Sequence, residues 1–244
     1  MPDEKTIRKK QRVGRGAGES VHGSLAQEIG LRIVRGDYPP GTVLPNEAQW
    51  SQIFNVSRSA VREAIKMLMA KSLLASRPKV GSRVEPKERW NLLDRDVLGW
   101  YAASPDRAAF LQTVQEFRHI IEPEATAFAA LRRTDEQMEE IAKACRDMRE
   151  AGNLEDRTRA DTRFHLAILR AAGNDLLVPL GVLIESAFDH LFRHVTREGD
   201  DLDLSQKLHE KIEKSIRMKK PEVARRAVRE LLANTDAIIT RAPE

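Results

Sequence analysis

From Trp90 to the C-terminus the chain shows no strand pattern, which leaves helices as its means of burying apolar side chains. Six amphipathic segments follow one another there. Ser104-Pro105 supplies an N-cap and an N1 proline for a helix running to about Arg133. Thr134-Asp135-Glu136-Gln137 is a capping-box pattern for the next, to about Ala151. A third spans about Leu154 to Ala172 and meets Gly173 as a C′ glycine. Asn174 can cap a fourth, to about Thr196, which Gly199 breaks. A fifth covers about Leu204 to Met218, and Pro221 at N1 opens a sixth that reaches Ile239. Such short connections predict an antiparallel bundle of six to seven helices over residues 105–240.

The first third reads differently. Residues 1–19 are polar, basic and glycine-containing, and are expected to form a disordered arm. Val21, Leu25, Ile29 and Ile33 recur every four residues, a helix face ended by Gly36 and Asp37-Tyr38-Pro39-Pro40-Gly41. Asn46 can cap a short helix through Trp50 and Ile53. After the tight Asn55-Val56-Ser57 connection, a third helix runs from about Arg58 to Lys71, with Ala60, Val61, Ala64, Ile65, Leu68 and Met69 as its apolar positions. Leu73 to Val84, interrupted by Pro78 and Gly81, reads as a small hairpin. The fold expected is mainly α: a winged helix-turn-helix over residues 20–85, a linker helix over 86–104, then the bundle.

Charge follows the same division. Residues 1–90 carry 17 Lys+Arg against 9 Asp+Glu, a net +8, whereas the remainder carries 24 against 28, a net −4. A basic module joined to a mildly acidic one suits a polyanion reader attached to something else. Aromatics are only 5% of the 244 residues, which disfavours single-strand binding by base stacking. Cys145 is the only cysteine, so an intrachain disulfide and a multi-cysteine metal site are excluded. The N-terminus lacks the apolar core of a secretory signal, no run approaches the roughly 18 residues of a membrane span, and a cytoplasmic location is expected.

Two constellations carry chemistry. The third helix begins with Ser57, Arg58 and Ser59 and carries Arg62 one turn later, where the first residues of a recognition helix reach base edges in the major groove. Arginine bonds guanine in bidentate fashion, and serine hydroxyls reach phosphate or base. The hairpin would be a wing bringing Arg77, Lys79 and Arg83 near the DNA backbone. Lys66 reads instead as part of a solvated helix face. The second constellation is Asp161 and His165, four apart on one partly apolar helix face, with His209 on a later helix as a third candidate. Buried, these groups require partners. They suit a self-satisfied Asp–His pair, or ligation of a divalent metal. Arg118, flanked by Phe117, Ile120 and Ile121, suits either a bidentate hold on a small carboxylate or an interhelix ion pair. His190 and His194 read as structural, and His209-Glu210-Lys211-Ile212-Glu213 lacks the second histidine of a zinc-protease motif.

Residues 21–84 resemble the winged-helix domain of GntR-type bacterial repressors. The likeness rests on Ile29 to Gly36, on Pro40-Gly41-Thr42-Val43-Leu44-Pro45-Asn46-Glu47, and on Val56-Ser57-Arg58-Ser59-Ala60-Val61-Arg62-Glu63-Ala64. The resemblance implies DNA contacts from Ser57, Arg58, Ser59 and Arg62, and from the wing glycine Gly81 with Lys79 beside it. Ala48 stands where many members carry a base-touching arginine, and Lys79 replaces the first glycine of the usual wing tip. The remainder resembles the FCD ligand-binding domain of the FadR subgroup, through Phe117-Arg118, Glu122-Pro123, Ala127, Asp161-x3-His165, His209 and Ala224-Arg225-Arg226-Ala227. In many such domains an aspartate and three histidines hold a metal. Asp161, His165 and His209 match the first three, and Leu231 occupies the fourth position. The resemblance therefore implies either a three-ligand site for zinc, nickel or manganese, or a metal-free pocket that bonds the effector directly.

Trp90-Asn91-Leu92-Leu93-Asp94-Arg95-Asp96-Val97-Leu98-Gly99-Trp100 is similar to a segment of D-galactonate-type operon regulators, or else an amphipathic linker helix packing its two tryptophans. The likeness implies a sugar acid, an aldonate or hexuronate, as effector, with Arg118, Asp161, His165 and His209 as its binding residues. The chain is thus expected to be a homodimeric transcription factor, a repressor in most such cases, that binds a palindromic operator in double-stranded DNA and answers to a small carboxylate. Another short organic acid or an amino acid is the rival effector class. A metal-dependent enzyme is the rival function, disfavoured because no nucleophile–base pair or phosphate loop accompanies the three candidate ligands.

Overall fold

The computed structural model describes residues 20–77, 81–105, 107–186 and 199–241. The expected basic arm over residues 1–19, Lys79 at the wing tip, and His190 and His194 lie outside the described residues. The chain divides into two compact units, one reaching Arg107 and one beginning at Ala108.

In the N-terminal unit, α1 (Val21–Val34) starts at Ser20, whose hydroxyl accepts from Gly23 N. It buries Leu25, Ile29 and Ile33. Helix α2 (Glu47–Phe54) has a reciprocal capping box: Gln49 N donates to Asn46 Oδ1 at 3.0 Å, and Asn46 N donates to Gln49 Oε1 at 2.8 Å. Two backbone donors at the helix start are thereby satisfied without tertiary help. Asn55, in the left-handed region at φ 53°, turns the chain into α3 (Arg58–Ala70), capped by Ser57. Val61, Ala64 and Leu68 form its buried stripe at spacings of three and four. Strands β1 (Leu74–Arg77) and β2 (Gly81–Val84) pair antiparallel, with Leu74 opposite Val84 and Arg77 opposite Gly81. The segment Thr42–Leu44 adds to the outer side of β2: Leu44 N donates to Ser82 O, and Val84 N to Thr42 O.

The stretch 86–104 contains an exposed 3-10 turn (Lys87–Arg89) and α4 (Arg95–Ala102), and α4 belongs to the N-terminal core. Trp90, Val97 and Trp100 pack in one apolar cluster with Leu25, Ile29, Val61 and Leu68. Trp90 Nε1 donates to Glu85 O at 2.8 Å. Lys71 Nζ lies 2.8 Å from Asp94 and 2.7 Å from Asp96, which ties the end of α3 to the start of α4. Helices α1 and α4 approach closely at Gly30, where a Cβ would stand 2.4 Å from the Trp100 ring. Burying two tryptophans there converts a segment between modules into part of one of them.

The C-terminal unit is the expected helical bundle. Helix α5 (Arg107–Arg132) carries Pro123 inside it, so the His119 carbonyl has no N–H to accept there. Helix α6 (Asp135–Glu150) opens with the Thr134–Gln137 capping box, and α7 (Leu154–Ala171) is capped by Asn153. Gly173 leaves α7 at φ 63°. Asn174 does not start a helix as expected. It closes a turn, its side chain accepting from Leu176 N, and successive i to i+3 turns lead to α8, helical over residues 181–186 and the start of a stretch whose continuation lies outside the described residues. Pro179 lacks the N–H that an earlier start would use. Gly199 is the first residue of α9 (Gly199–Arg217), five residues ahead of the expected start at Leu204, and the expected end of the preceding helix near Thr196 lies outside the described residues. Helix α10 (Pro221–Arg241) starts at its proline as expected. Helix α6 packs on α7 and α9, and α9 on α10, around Ile141, Met148, Phe164, Ile168, Ile212, Val228 and Leu232.

The Gly30–Trp100 approach sets the sign of one substitution. Alanine ordinarily stabilises a helix over glycine by about 1 kcal/mol, but overpacking a filled site costs about 1–3 kcal/mol. Gly30→Ala is therefore expected to lower stability in urea unfolding followed by tryptophan fluorescence. A gain in stability would contradict the packing of α4 on α1.

Candidate functional site

The N-terminus of α3 presents one set of polar groups to solvent. Arg58, Ser59 and Arg62 are exposed, opposite the buried stripe of Val61, Ala64 and Leu68. Ser57 is partly committed: its Oγ accepts from Ala60 N at 3.2 Å as the helix cap and lies 3.0 Å from Ser59 Oγ. Arg62 makes a fork with Glu47 in the first turn of α2, Nε to Oε1 at 2.9 Å and Nη2 to Oε2 at 2.8 Å. That hydrogen bond holds the Glu47 carboxyl below its ordinary range. Lys66 pairs with Glu63 on the open face of α3, in line with its reading as a solvated residue. Gly81 is exposed at φ 95°, a backbone state that favours glycine.

The second cluster lies inside the bundle. Arg118 and Glu122 come from α5, Asp161 and His165 from α7, and His209 from α9, all buried in an otherwise apolar interior. They form one chain of contacts. Arg118 Nε donates to Glu122 Oε1 at 2.6 Å, and its Nη1 to Gln115 Oε1 at 3.3 Å. The other Glu122 oxygen lies 2.8 Å from His165 Nδ1. His165 Nε2 and His209 Nε2 each stand 3.2 Å from the same Asp161 Oδ1. His209 Nδ1 lies 2.7 Å from Ser205 O. The two imidazoles and Phe164 meet edge to face.

Electrostatics follow from this order. Burial opposes ionisation of Glu122, yet Arg118 and His165 outweigh it and hold the carboxyl down at about 2. Burial likewise opposes charge on Asp161, but the two histidines keep it well below the carboxylate range. For His165 burial favours the neutral ring, and Glu122 and Asp161 reverse this and push it up to about 9. Arg118, Glu122, His165 and Asp161 thus form a buried run of alternating charge.

The candidate metal ligands fit an ion. The donor atoms of Asp161, His165 and His209 all lie within 4.8 Å of one another. Two bonds of about 2.0–2.1 Å at a tetrahedral angle set adjacent donors about 3.3 Å apart, close to the 3.2 Å separations around Asp161 Oδ1. Both Nδ1 atoms face oxygen acceptors, Glu122 and the Ser205 carbonyl, which is the outer arrangement that leaves Nε2 to ligate. Leu231 is buried in the apolar cluster with Ile212 and Val228, so α10 supplies no fourth ligand at that position.

The structure brings Arg118, Asp161, His165 and His209 into one network and gives Arg118 an intrahelical partner in Glu122. It adds Glu122, Gln115 and the Ser205 carbonyl. Glu122 was visible as Arg118 plus four, a same-face spacing, but nothing in that spacing pointed to His165. Glu47 was readable only as part of a motif; its bond to Arg62 spans 15 residues of chain.

Comparison with known proteins agrees with this geometry. Residues 22–84 match the model of bacterial regulatory proteins of the gntR family, and residues 113–234 match the FCD domain. The HTH-type transcriptional regulator YieP of Escherichia coli K12 is 33% identical over 87% of this chain and 92% of its own. The galactonate operon transcriptional repressor of the same organism is 32% identical over 85% of this chain and 91% of its own. Among solved structures, a GntR protein of Streptococcus agalactiae is 26% identical with a TM-score of 0.50, over 87% of this chain and 97% of that one. A basic winged helix with an exposed arginine face, followed by a helical bundle with a buried ionic centre, is the domain pair these matches describe. The chain belongs to the GntR family of DNA-binding transcriptional regulators, in the FadR-type subgroup that carries an FCD domain.

Proposed function

We propose that this regulator represses an operon for carbohydrate-acid catabolism and is released from its operator by a small carboxylate, an aldonate or hexuronate. The observation that carries the reading is the buried ionic string Arg118–Glu122–His165–Asp161–His209. An apolar bundle stabilised for its own sake gains nothing from such groups, since a buried ion pair is often matched or bettered by hydrophobic residues. Groups of this kind suit a ligand with one carboxylate and several hydroxyls: Arg118 offers a guanidinium, Asp161 accepts from hydroxyls, and the imidazoles bond either. The likeness to the galactonate operon repressor supports the same substrate class.

On the DNA side, Arg58 and Arg62 would read base edges, Ser57 and Ser59 would reach phosphate or base, Gly81 of the wing would enter the minor groove, and Lys79 would lie near the DNA backbone. A homodimer sets two such faces on a palindromic operator. Effector binding acts by coupling: it favours a bundle state in which the paired reading heads fit the operator less well. Coupling of about 1–3 kcal/mol changes operator affinity about 5- to 150-fold. Asp161, His165 and His209 would hold a divalent metal, with Glu122 and the Ser205 carbonyl orienting the rings. When bound, the metal supplies a cation to which an effector oxygen can attach.

Thermal-shift screening against aldonates, hexuronates, short hydroxy acids and amino acids tests the effector class. A sugar acid at a hundredfold excess over its Kd is expected to stabilise the chain by about 2.7 kcal/mol. Arg118→Ala should abolish that shift and the release of DNA while leaving operator binding in gel shifts. Release that persists in this variant, or a response only to amino acids, overturns the assignment. Zinc, nickel or manganese added to metal-free protein should raise the melting temperature of the wild type and not of His209→Ala. Equal rises in both would remove the metal from the proposal.

A further inference from the structure

We infer that Glu47 is a positioning residue for base reading, setting through its fork the direction in which the Arg62 guanidinium meets a base edge. The inference rests on the proposed reading that Arg62 contacts DNA. The two residues sit on different helices, Glu47 in the first turn of α2 and Arg62 in the second turn of α3. Glu47 takes the Nε–H and one Nη2–H, at 2.9 and 2.8 Å. A guanidinium has five N–H donors in a fixed plane. The donors on its outer Nη1/Nη2 edge are those whose geometry matches the O6 and N7 of guanine. A carboxylate on the inner edge therefore fixes the plane without occupying the edge that reads.

Exposure separates this role from a structural one. Arg62 and Glu47 are 58% and 40% exposed, a solvated pair of the sort that contributes little to stability. What the fork does provide is restraint. An exposed arginine samples many rotamers and satisfies itself on the nearest phosphate, which gives affinity without sequence preference. Held from α2, the same side chain has one plane to offer. The carboxylate also offsets the arginine charge, so a phosphate gains less from capturing it. Lys66 and Glu63, three apart on α3 itself, make a pair with no such reach between helices.

The test enriches duplexes from a random-sequence pool with the full-length wild-type chain. Binding of the enriched duplex and its single-base-pair variants is then measured for wild type, Glu47→Gln, Arg62→Ala and the double variant. At the base pair read by Arg62 the wild type should discriminate about 5- to 150-fold, the range of one bidentate contact. Arg62→Ala should lose that discrimination. Glu47→Gln should lower it at least about 5-fold at the same base pair alone, with melting temperature kept, and should add nothing on top of Arg62→Ala. Should Glu47→Gln fail to fold, Glu47→Asp serves instead: it keeps the charge but is one methylene too short for the fork, and is expected to lower the same discrimination while holding bulk duplex affinity. If Arg62→Ala loses discrimination while Glu47→Gln retains it, the positioning role is overturned and Arg62 still reads DNA. If Arg62→Ala retains the wild-type profile, both fall.

Discussion

The bundle is organised around charges that it has removed from water. Desolvating an ion costs several kcal/mol even after the protein relaxes around it, and only close partners offset this. Here Arg118 and His165 each lie beside Glu122, and His165 and His209 both face Asp161. Because the members come from α5, α7 and α9, the string fixes those three helices in register as well as position. Leu231 and Ile212 belong to the apolar cluster that also holds Phe164, next in sequence to His165. Such a centre is stiff in one arrangement and responsive to any group that changes its charge or its hydrogen bonds. That is the property a ligand sensor requires and a purely structural bundle does not.

The N-terminal unit is built by the opposite means. Its helices are short, and each carries its own cap: Ser20, Asn46 with Gln49, Ser57 and Asp94. Local satisfaction of the first backbone donors lets an eight-residue helix such as α2 persist where propensity alone would not hold it. Trp90 and Trp100 then supply the large apolar areas that so small a module lacks. Trp90, Val97 and Trp100 draw α4 into the core of this module.

Much of this was legible from residue order. The capping boxes at Asn46 and Thr134, the proline start of α10 and the stripe of α3 are local signals, and local physics decides them. The same holds for Asp161 and His165, whose spacing places them on one face. What failed was the reading of Asn174 as a helix cap. Asparagine closes turns as readily as it starts helices, and the choice depends on packing that a short window does not contain. Glu122 and Glu47 were passed over for a related reason. Their roles are defined by partners on other helices, His165 for one and Arg62 for the other, and no periodicity encodes those meetings.

The two functional regions nonetheless share one device. In each, a carboxylate takes part of an arginine fork and so decides how the guanidinium is presented: Glu47 for Arg62, Glu122 for Arg118. Environment makes the consequences differ. The Arg62 pair stands in water, where its geometry constrains direction and adds little energy. The Arg118 pair is 1% and 3% exposed, where losing one partner of a buried pair costs about 3–5 kcal/mol because the other is left uncompensated. On the proposed reading, an anionic ligand at Arg118 would meet a guanidinium whose charge is already answered and would bind by rearranging what Glu122 holds. Because Glu122 also faces His165, the proposed occupancy at one end of the string would be felt at the other, on α7 and α9.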